Sequence, residues 1–323
     1  ASDVYKRQES DSPKRFRAAL LHCLLEESIN QGDTYVQARQ LLSVTINLLE
    51  DARQVECHPA AVAQQLTSLI EEGNIKNIDT KLFDTSLYFA EEGIAKNIRR
   101  LLDQPLDSHL NSEAIQKEIQ ALQDKFGITY DQVQQEAIEK ALTSKVFLLT
   151  GGPGTGKTTV IRGILQAYAK LYQLDLDKKD LPILLAAPTG RAARRMNELT
   201  GLPSATIHRH LGLTGDNDYQ TIEDYLDCDL LIVDEFSMVD TWLANQLLSA
   251  VSSTTQVIIV GDSDQLPSVG PGQVLADLLK VKNLPQIALR KIFRQSQEST
   301  IVALADQMLS LIHISEPTRL GMI

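Results

Sequence analysis

The stretch VFLLTGGPGTGKTTV, from Val146 to Val160, decides the fold of this chain. It opens with an apolar run typical of a strand buried on both faces, and it ends in a helical pattern. Between the two, Gly151 to Thr158 matches G-x-x-x-x-G-K-S/T, the pattern of a phosphate-binding loop. Glycines let backbone N–H groups turn inward, and the helix N-terminus adds partial positive charge, so we expect a polyphosphate ligand.

Two side chains of this loop have distinct expected roles. Lys157 can reach the β and γ phosphates of ATP, and the Thr158 hydroxyl can ligate Mg²⁺. The predicted nucleotide-binding residues of the loop are Gly151, Gly152, Pro153, Gly154, Thr155, Gly156, Lys157, Thr158 and Thr159. A simple tight turn between strand and helix is the alternative, and the flanking elements disfavour it because both stand where the motif needs them.

Composition limits the class of protein. The chain has 323 residues, of which 43% are hydrophobic and 23% charged, and this suits a protein of about two domains with no membrane span. Cys23, Cys57 and Cys228 lie far apart without a C-x-x-C pair, which favours reduced thiols, a cytoplasmic location and no zinc site. The net charge of −11 disfavours non-specific coating of nucleic acid but still permits a local basic groove.

Both ends look foreign to the protein. Residues 1–8, ASDVYKRQ, and residues 309–323, which begin LSLIHISEPTR, look like translated adapter sequence from transposon-based sequencing libraries. We therefore expect a reading frame cut at both ends, and both segments are excluded from the fold prediction.

Residues 9–104 are predicted to form a mainly helical domain that resembles a small winged-helix unit. Its hairpin is expected from Asn74 to Ile78 and from Thr85 to Phe89. Five basic side chains are interpreted as solvated faces in preference to DNA contacts, namely Lys14, Arg15, Arg17, Arg99 and Arg100. Residues 105–129 should form a linker and a helix from Ser112 to Phe126.

One glutamine before the loop has two interpretations. Gln134 stands three residues after Asp131, so the two could form a capping box at the start of a helix. A glutamine just upstream of a phosphate loop could instead read the adenine edge. Residue type alone leaves these alternatives equal.

Three further apolar strands are predicted, at Ile183 to Ala187, Leu230 to Val233 and Val257 to Val260. Each ends in a polar or glycine-containing segment. The carboxyl ends of strands in open α/β sheets deliver their loops to one crevice, so we predict a parallel α/β sheet with a shared site.

The segments after these strands supply candidate chemistry. Thr189 and Arg191 begin a basic helix that suits a nucleic-acid phosphate, the alternative being a solvated basic helix. Asp234 can hold Mg²⁺ and Glu235 can orient or deprotonate the attacking water. Gln265 is a candidate for contact with the γ-phosphate. Arg294 is a candidate arginine finger, which would stabilise the charge that develops on the transferred phosphoryl group.

The motifs together carry a family resemblance. In order, GGPGTGKTT, AAPTGRAARRM, TIHRHLG, LLIVDEFSMVD, VGDSDQLPSVGPGQVLADLL and IFRQ closely resemble the RecD-like helicases of superfamily 1, and most of all the stand-alone RecD/TraA type. The resemblance implies a RecA-like ATPase domain at 130–295, the start of a second motor lobe at 296–308, and ATP with Mg²⁺ as cofactors. It favours the adenine role for Gln134.

The resemblance also implies a function. Such a motor moves 5′ to 3′ on single-stranded DNA, acts at single-strand/duplex junctions and needs no obligate protein partner. The expected DNA-binding residues are Pro188, Thr189, Gly190, Arg191, His208, Val269, Gly270 and Pro271. One lobe alone should not unwind DNA. A relaxase-linked helicase, a DNA-dependent ATPase that does not unwind and a nucleotide-gated DNA-binding module remain alternatives.

Overall fold

The computed structural model describes residues 12–51, 57–106, 110–178, 180–213 and 225–293. The adapter-like ends, residues 296–308 and the predicted finger Arg294 lie outside these ranges. The first elements are α1 (Pro13–Gln31), β1 (Tyr35–Gln37), α2 (Ala38–Asp51), α3 (Pro59–Glu71), β2 (Ile75–Ile78), β3 (Lys81–Asp84) and α4 (Thr85–Leu102). Within the described part of the chain, no helix is both long and apolar enough to cross a membrane.

The three short strands form an antiparallel sheet in the order β1-β3-β2. The first strand of the predicted hairpin is confirmed at Ile75–Ile78. The second was expected from Thr85 to Phe89, and this was wrong, because that segment begins α4. The Asp84 carboxylate accepts a hydrogen bond from the Ser86 amide at 2.8 Å and so caps the helix.

The basic residues of this region are mostly engaged within the protein. The Arg15 side chain is buried and donates to the carbonyl oxygen of Leu49 at 2.7 Å. Arg17 donates to the exposed carboxylate of Glu72. Arg100 donates to a carbonyl on another helix. Their interpretation as solvated faces was therefore wrong for Arg15 and Arg100, because periodicity gives the face of a helix but not the acceptors opposite it.

The second part of the chain builds a six-stranded sheet. Its elements are α5 (Ser112–Phe126), α6 (Gln132–Thr143), β4 (Val146–Gly151), α7 (Lys157–Leu171), β5 (Ile183–Ala187), α8 (Gly190–Thr200), β6 (Ser204–Thr206), α9 (Ile207–His210), β7 (Leu230–Val233), α10 (Thr241–Ala250), β8 (Gln256–Gly261), α11 (Val274–Leu279) and β9 (Gln286–Leu289). All pairings are parallel, in the order β6-β5-β7-β8-β4-β9. This confirms the predicted α/β, RecA-like class.

The order of the strands places the site. Strand β4 pairs with β8, which also pairs with β7, so β4 and β7 flank β8. Every residue of these three strands is buried, as their unbroken apolar runs predict. Because the strands are parallel, the loops that follow β4, β7 and β8 leave the sheet at the same edge.

Helix α4 packs against this larger sheet. Its residues Ile94, Ile98 and Leu101 share a hydrophobic core with Val146 and Leu148 of β4. Arg100 donates to the carbonyl oxygens at the end of α10, at 3.0 Å for Leu248 and 2.6 Å for Val251. The predicted boundary at residue 104 therefore lies after a helix that fills the core of the following domain.

Candidate nucleotide site

The loop between β4 and α7 has the backbone that the sequence motif requires. Gly154 and Gly156 adopt left-handed conformations, with φ of 83° and 90°. A Cβ on Gly156 would lie only 2.5 Å from Nε2 of Gln134, so a side chain there would displace that amide as well as strain the backbone. The Thr155 hydroxyl donates to the carbonyl oxygen of Gly152 at 2.9 Å and closes the turn.

Lys157 is the first residue of α7 and points back into the loop. Its ammonium donates to the carbonyl oxygen of Gly151, and to that of Gly152 at 3.2 Å. Thr158 and Thr159 follow on the first turn of α7, and all three residues line one open cleft. The ammonium is therefore held at the mouth of a loop whose helix N-terminus favours anions.

Strand β7 is followed at once by the partly buried carboxylate of Asp234. Burial raises the pKa of Asp234 above its ordinary value of 3.8, and it outweighs the Glu235 amide and the positive charges of Lys157 and Arg195, which lower it. The Glu235 amide donates to Asp234 Oδ1 at 2.9 Å. A carboxylate that burial makes costly to ionise suits a cation ligand.

Glu235 has an unusual backbone. Its φ of 53° and ψ of 38° are left-handed, a conformation that costs a non-glycine residue about 1 kcal/mol or more. Glu235 lines the same cleft as Lys157 and Asp234. The strained turn therefore places its carboxylate beside the phosphate-binding loop.

An open cleft of about 1240 Å³ joins these residues. Its lining includes Lys157 and Thr158 from the loop and helix after β4, Asp234 and Glu235 from the turn after β7, and Gln265 from the loop after β8. The Ser237 hydroxyl donates to Gln265 Oε1 at 3.4 Å. The structure thus brings together the loops that the sequence predicted to converge.

Comparison with known proteins adds to this geometry. The family described as "AAA domain" matches residues 134–271. The ATP-dependent RecD2 DNA helicase of Deinococcus radiodurans is 29% identical over 314 residues, covering 93% of this chain and 41% of that protein. The RecBCD enzyme subunit RecD of Mycolicibacterium smegmatis is 41% identical over 175 residues, covering 48% of this chain and 31% of that protein.

The chain is thus similar to RecD-type DNA helicases, over most of its length in the first case and over about half of it in the second. It spans less than half the length of each of these two relatives. Among solved structures, the Pif1 helicase from Candida albicans matches with a TM-score of 0.43 and 23% identity, over 56% of this chain and 44% of that one. The fold assignment rests on the parallel sheet itself.

Gln134 of this RecD-like chain forms the capping box. Its side-chain Oε1 accepts from the Asp131 backbone amide at 3.1 Å, while the Gln134 backbone amide donates to Asp131 Oδ1 at 2.8 Å. The side chain is buried and does not line the cleft, although Nε2 faces Gly156. The capping alternative is satisfied in full, and the adenine role stays a prediction.

The predicted DNA-binding residues fall into different environments. Thr189 caps α8 by accepting from the Ala192 amide at 3.2 Å, next to Pro188, which is half-buried. Gly190 and Arg191 line the nucleotide cleft of the RecD-like chain. The basic helix α8 therefore faces the site and not only solvent.

The remaining predicted DNA contacts lie near the loop after β8. Val269 is 90% exposed, while Pro271 is buried and its carbonyl accepts from the Thr241 amide at 3.1 Å. This backbone bond joins the loop to the first residue of α10, and contact of Pro271 with DNA stays a prediction. Burial raises the pKa of Asp240, and the nearby, exposed His208 offsets part of that rise. A Cβ on Gly270 would lie 2.2 Å from Asp240 Oδ2.

One cleft residue was missed by the sequence analysis. Phe293 is 46% exposed, lines the cleft, and donates through its amide to the carbonyl oxygen of Gly154 at 2.9 Å. Lys291 Nζ lies 4.9 Å from the centre of its ring. The available signal was an aromatic residue just after β9, in the stretch from which only Arg294 was selected.

Proposed function

We propose that this chain is the first motor lobe of an ATP-driven helicase that moves 5′ to 3′ on single-stranded DNA. The observation that carries the proposal is the convergence of Lys157, Thr158, Asp234 and Glu235 on one cleft. The direction of movement rests on the resemblance of the motifs to the family. We further propose junctions of single-stranded and duplex DNA as its substrate.

The residues present fit a nucleotide with Mg²⁺. The two left-handed glycines leave room for phosphates at the N-terminus of α7, and Thr158 with Asp234 would hold the metal. No cluster of three potential metal-binding His, Cys, Asp or Glu side chains occurs in the described ranges, and Mg²⁺ commonly takes one or two carboxylates plus phosphate oxygens and water. Bound Mg²⁺ would neutralise phosphate charge.

The side chains of the cleft have separate tasks in this proposal. Lys157 exchanges its carbonyl acceptors for phosphate oxygens and holds the triphosphate in place. Glu235, fixed by its left-handed backbone, orients the attacking water and accepts a proton from it. Gln265, on an exposed loop, senses the γ-phosphate, and we propose the finger role for Arg294 by resemblance alone.

The wider setting is also proposed. The match with RecD2 runs over 93% of the chain and includes the amino-terminal region, which supports a protein that works without an obligate partner. Action on DNA and the thiol state of Cys23, Cys57 and Cys228, none of which forms a disulfide among the described residues, support a cytoplasmic location. We propose that the amino-terminal elements up to about residue 104 form a winged-helix-like unit.

ATP turnover by the full-length protein tests the function. Single-stranded DNA should stimulate hydrolysis, Lys157→Ala should abolish nucleotide binding, and Glu235→Gln should keep binding while lowering turnover by roughly 100-fold or more. Duplexes with 5′ or 3′ tails then test direction. Stimulated turnover without strand separation would identify a translocase, and normal turnover by the Lys157 variant would refute the assignment. The 323-residue chain alone should not unwind DNA.

A further inference from the structure

The outer face of the small amino-terminal sheet carries aromatic and basic side chains. The register pairs Tyr35 of β1 with Phe83 of β3, and Phe83 with Lys76 of β2. Two residues further along each strand, Lys81 of β3 is paired with Gln37 of β1 and with Ile78 of β2. Directly paired residues point to the same side of a sheet, so these six residues share one face.

The opposite face of this sheet is core. Val36 and Leu82 are paired with each other and are both buried in the amino-terminal hydrophobic cluster. The first face is therefore the outer one, and its six residues carry two positive charges and no negative charge. This charge contrasts with the net charge of −11 for the whole chain.

The aromatic rings on this face form a continuous series with α4. Ring centres are 5.6 Å apart for Tyr35 and Phe83, 5.9 Å for Phe83 and Tyr88, and 5.5 Å for Tyr88 and Phe89. Phe83 lies buried beneath its neighbours, whereas Phe89 at the end of the series is 50% exposed. We call Tyr35, Phe83, Tyr88 and Phe89, together with Lys76 and Lys81, the aromatic platform.

The two lysines lie over these rings. Lys81 Nζ is 4.4 Å from the centre of the Tyr35 ring, and Lys76 Nζ is 5.3 Å from that of Phe89. Among the described residues, neither ammonium forms a salt bridge with a carboxylate. Both cations are therefore held at the platform by rings and can still meet an anion.

The platform adjoins the loop after β8. The Gly272 amide donates to the Gly32 carbonyl at 3.0 Å, and a Cβ on Gly272 would lie 3.2 Å from Cγ2 of Thr34. Thr34 immediately precedes Tyr35, while Val269, three residues before Gly272, is 90% exposed. A buried contact thus links the loop that carries Val269 to the residue before Tyr35 of the aromatic platform.

We propose that the aromatic platform binds single-stranded DNA, with bases stacking on the exposed rings and phosphates meeting Lys76 and Lys81. Rings with adjacent cations are the usual means of holding single strands without sequence preference. The site lies outside the nucleotide cleft, and only the choice of DNA over RNA rests on the proposed function. A strand held here would be tethered beside the motor lobe.

Fluorescence anisotropy with labelled oligothymidylate and the whole chain tests the platform. Phe89→Ala should weaken binding roughly fivefold or more, since base–aromatic stacking carries the contact. Phe126→Ala is the matched control, because Phe126 is also partly exposed and has Lys125 Nζ 5.0 Å from its ring centre, on a different helix. If Phe89→Ala and wild type bind the oligonucleotide with equal affinity, the proposal is overturned, and a protein-binding surface would become the better interpretation of the platform.

The lysines are tested by salt dependence. Lys76→Gln with Lys81→Gln should flatten the plot of log affinity against log salt by roughly 0.7 per lost phosphate contact, and Lys125→Gln should not. Photocrosslinking of iodouracil-containing DNA to wild type should label residues 76–89, which tests the site without substitution. Crosslinks confined to other segments, or tighter binding of oligouridylate, would contradict the proposal.

The two proposals fail separately. Binding of a fluorescent ATP analogue reports the cleft and should be the same in Phe89→Ala and wild type. If wild type does not bind the ATP analogue, the motor assignment is refuted. The platform proposal would still stand, because the stacking of DNA bases on its rings needs no bound nucleotide.

Discussion

The Gly272 amide donates a hydrogen bond to the carbonyl oxygen of Gly32 at 3.0 Å, and this bond joins the loop after β8 to the end of α1. The same loop carries Gln265, which lines the nucleotide cleft. Any movement of this loop in response to the γ-phosphate would therefore reach the amino-terminal elements through a direct contact.

Gly272→Ala should lower the free energy of unfolding by about 2 kcal/mol or more. Its φ is +93°, and the added Cβ would lie 1.9 Å from Oγ1 of Thr241. Gly201→Ala is the matched control, since Gly201 has φ of +76° with no atom within 4 Å of the added Cβ. Urea unfolding of both variants separates contact from conformation. Equal losses would show that the contact with Thr241 contributes nothing.

Asp234→Asn should stabilise the fold while it abolishes Mg²⁺-dependent turnover. Because burial raises the pKa of Asp234, the folded state binds the proton more tightly, and this group costs stability as the pH rises from its ordinary pKa of 3.8 through the raised value. The gain of the asparagine variant should be present at neutral pH and vanish below the ordinary pKa. Unfolding across pH measures this, and a gain that grows towards acid pH would contradict it.

Gly93 lets α4 approach α10 closely. A Cβ there would lie 2.1 Å from Oδ1 of Asn245, an atom with no hydrogen-bond partner among the described residues. Gly93→Ala should therefore cost about 1 to 3 kcal/mol by overpacking. In an Asn245→Ala background the same change should become favourable, since alanine is the better helix former by about 1 kcal/mol. Additive effects in chemical unfolding would refute this coupling.

Arg100→Met should destabilise the chain by about 2 kcal/mol, because the guanidinium satisfies the carbonyl oxygens of Leu248 and Val251 at the end of α10. Arg99→Met is its control, as Arg99 is exposed on the same helix. Thermal unfolding of the two variants at one pH provides the comparison. Similar midpoints would show that Arg100 is replaceable.

Phe293→Ala should weaken nucleotide binding roughly tenfold, on the scale of base–aromatic stacking. The ring lines the cleft and its amide is anchored to the Gly154 carbonyl. Phe293→Trp should retain affinity, and Phe126→Ala should have no effect on it. Titration with a fluorescent ATP analogue measures all three. If the alanine variant binds as tightly as wild type, the ring plays no part in holding the base.

Local pattern was enough to predict the phosphate loop and the buried strands. In both, one element carries the whole signal, as in the apolar run before Gly151. The order of parallel strands then places Lys157 and Asp234 at one edge, so convergence follows from topology.

Long-range partners were beyond the sequence. The hydrogen-bond acceptors of Arg15 and Arg100 lie on or at the end of other helices. The second hairpin strand was predicted in a segment that is helical, because a segment with β-forming Tyr88 and Phe89 can fit the helical or the strand period. Gln134 fits a capping box and a position beside Gly156 at once, so residue type could not decide its role.

Helix α4 contacts both parts of the protein. Its first turn carries Ser86, whose hydroxyl accepts from Trp242 Nε1 at 3.0 Å, and its second carries Phe89 of the platform. Its last turns fill the core beneath β4. The amino-terminal sheet is therefore joined to the larger sheet through one continuous helix, and a DNA strand bound on the aromatic platform would shift together with that helix.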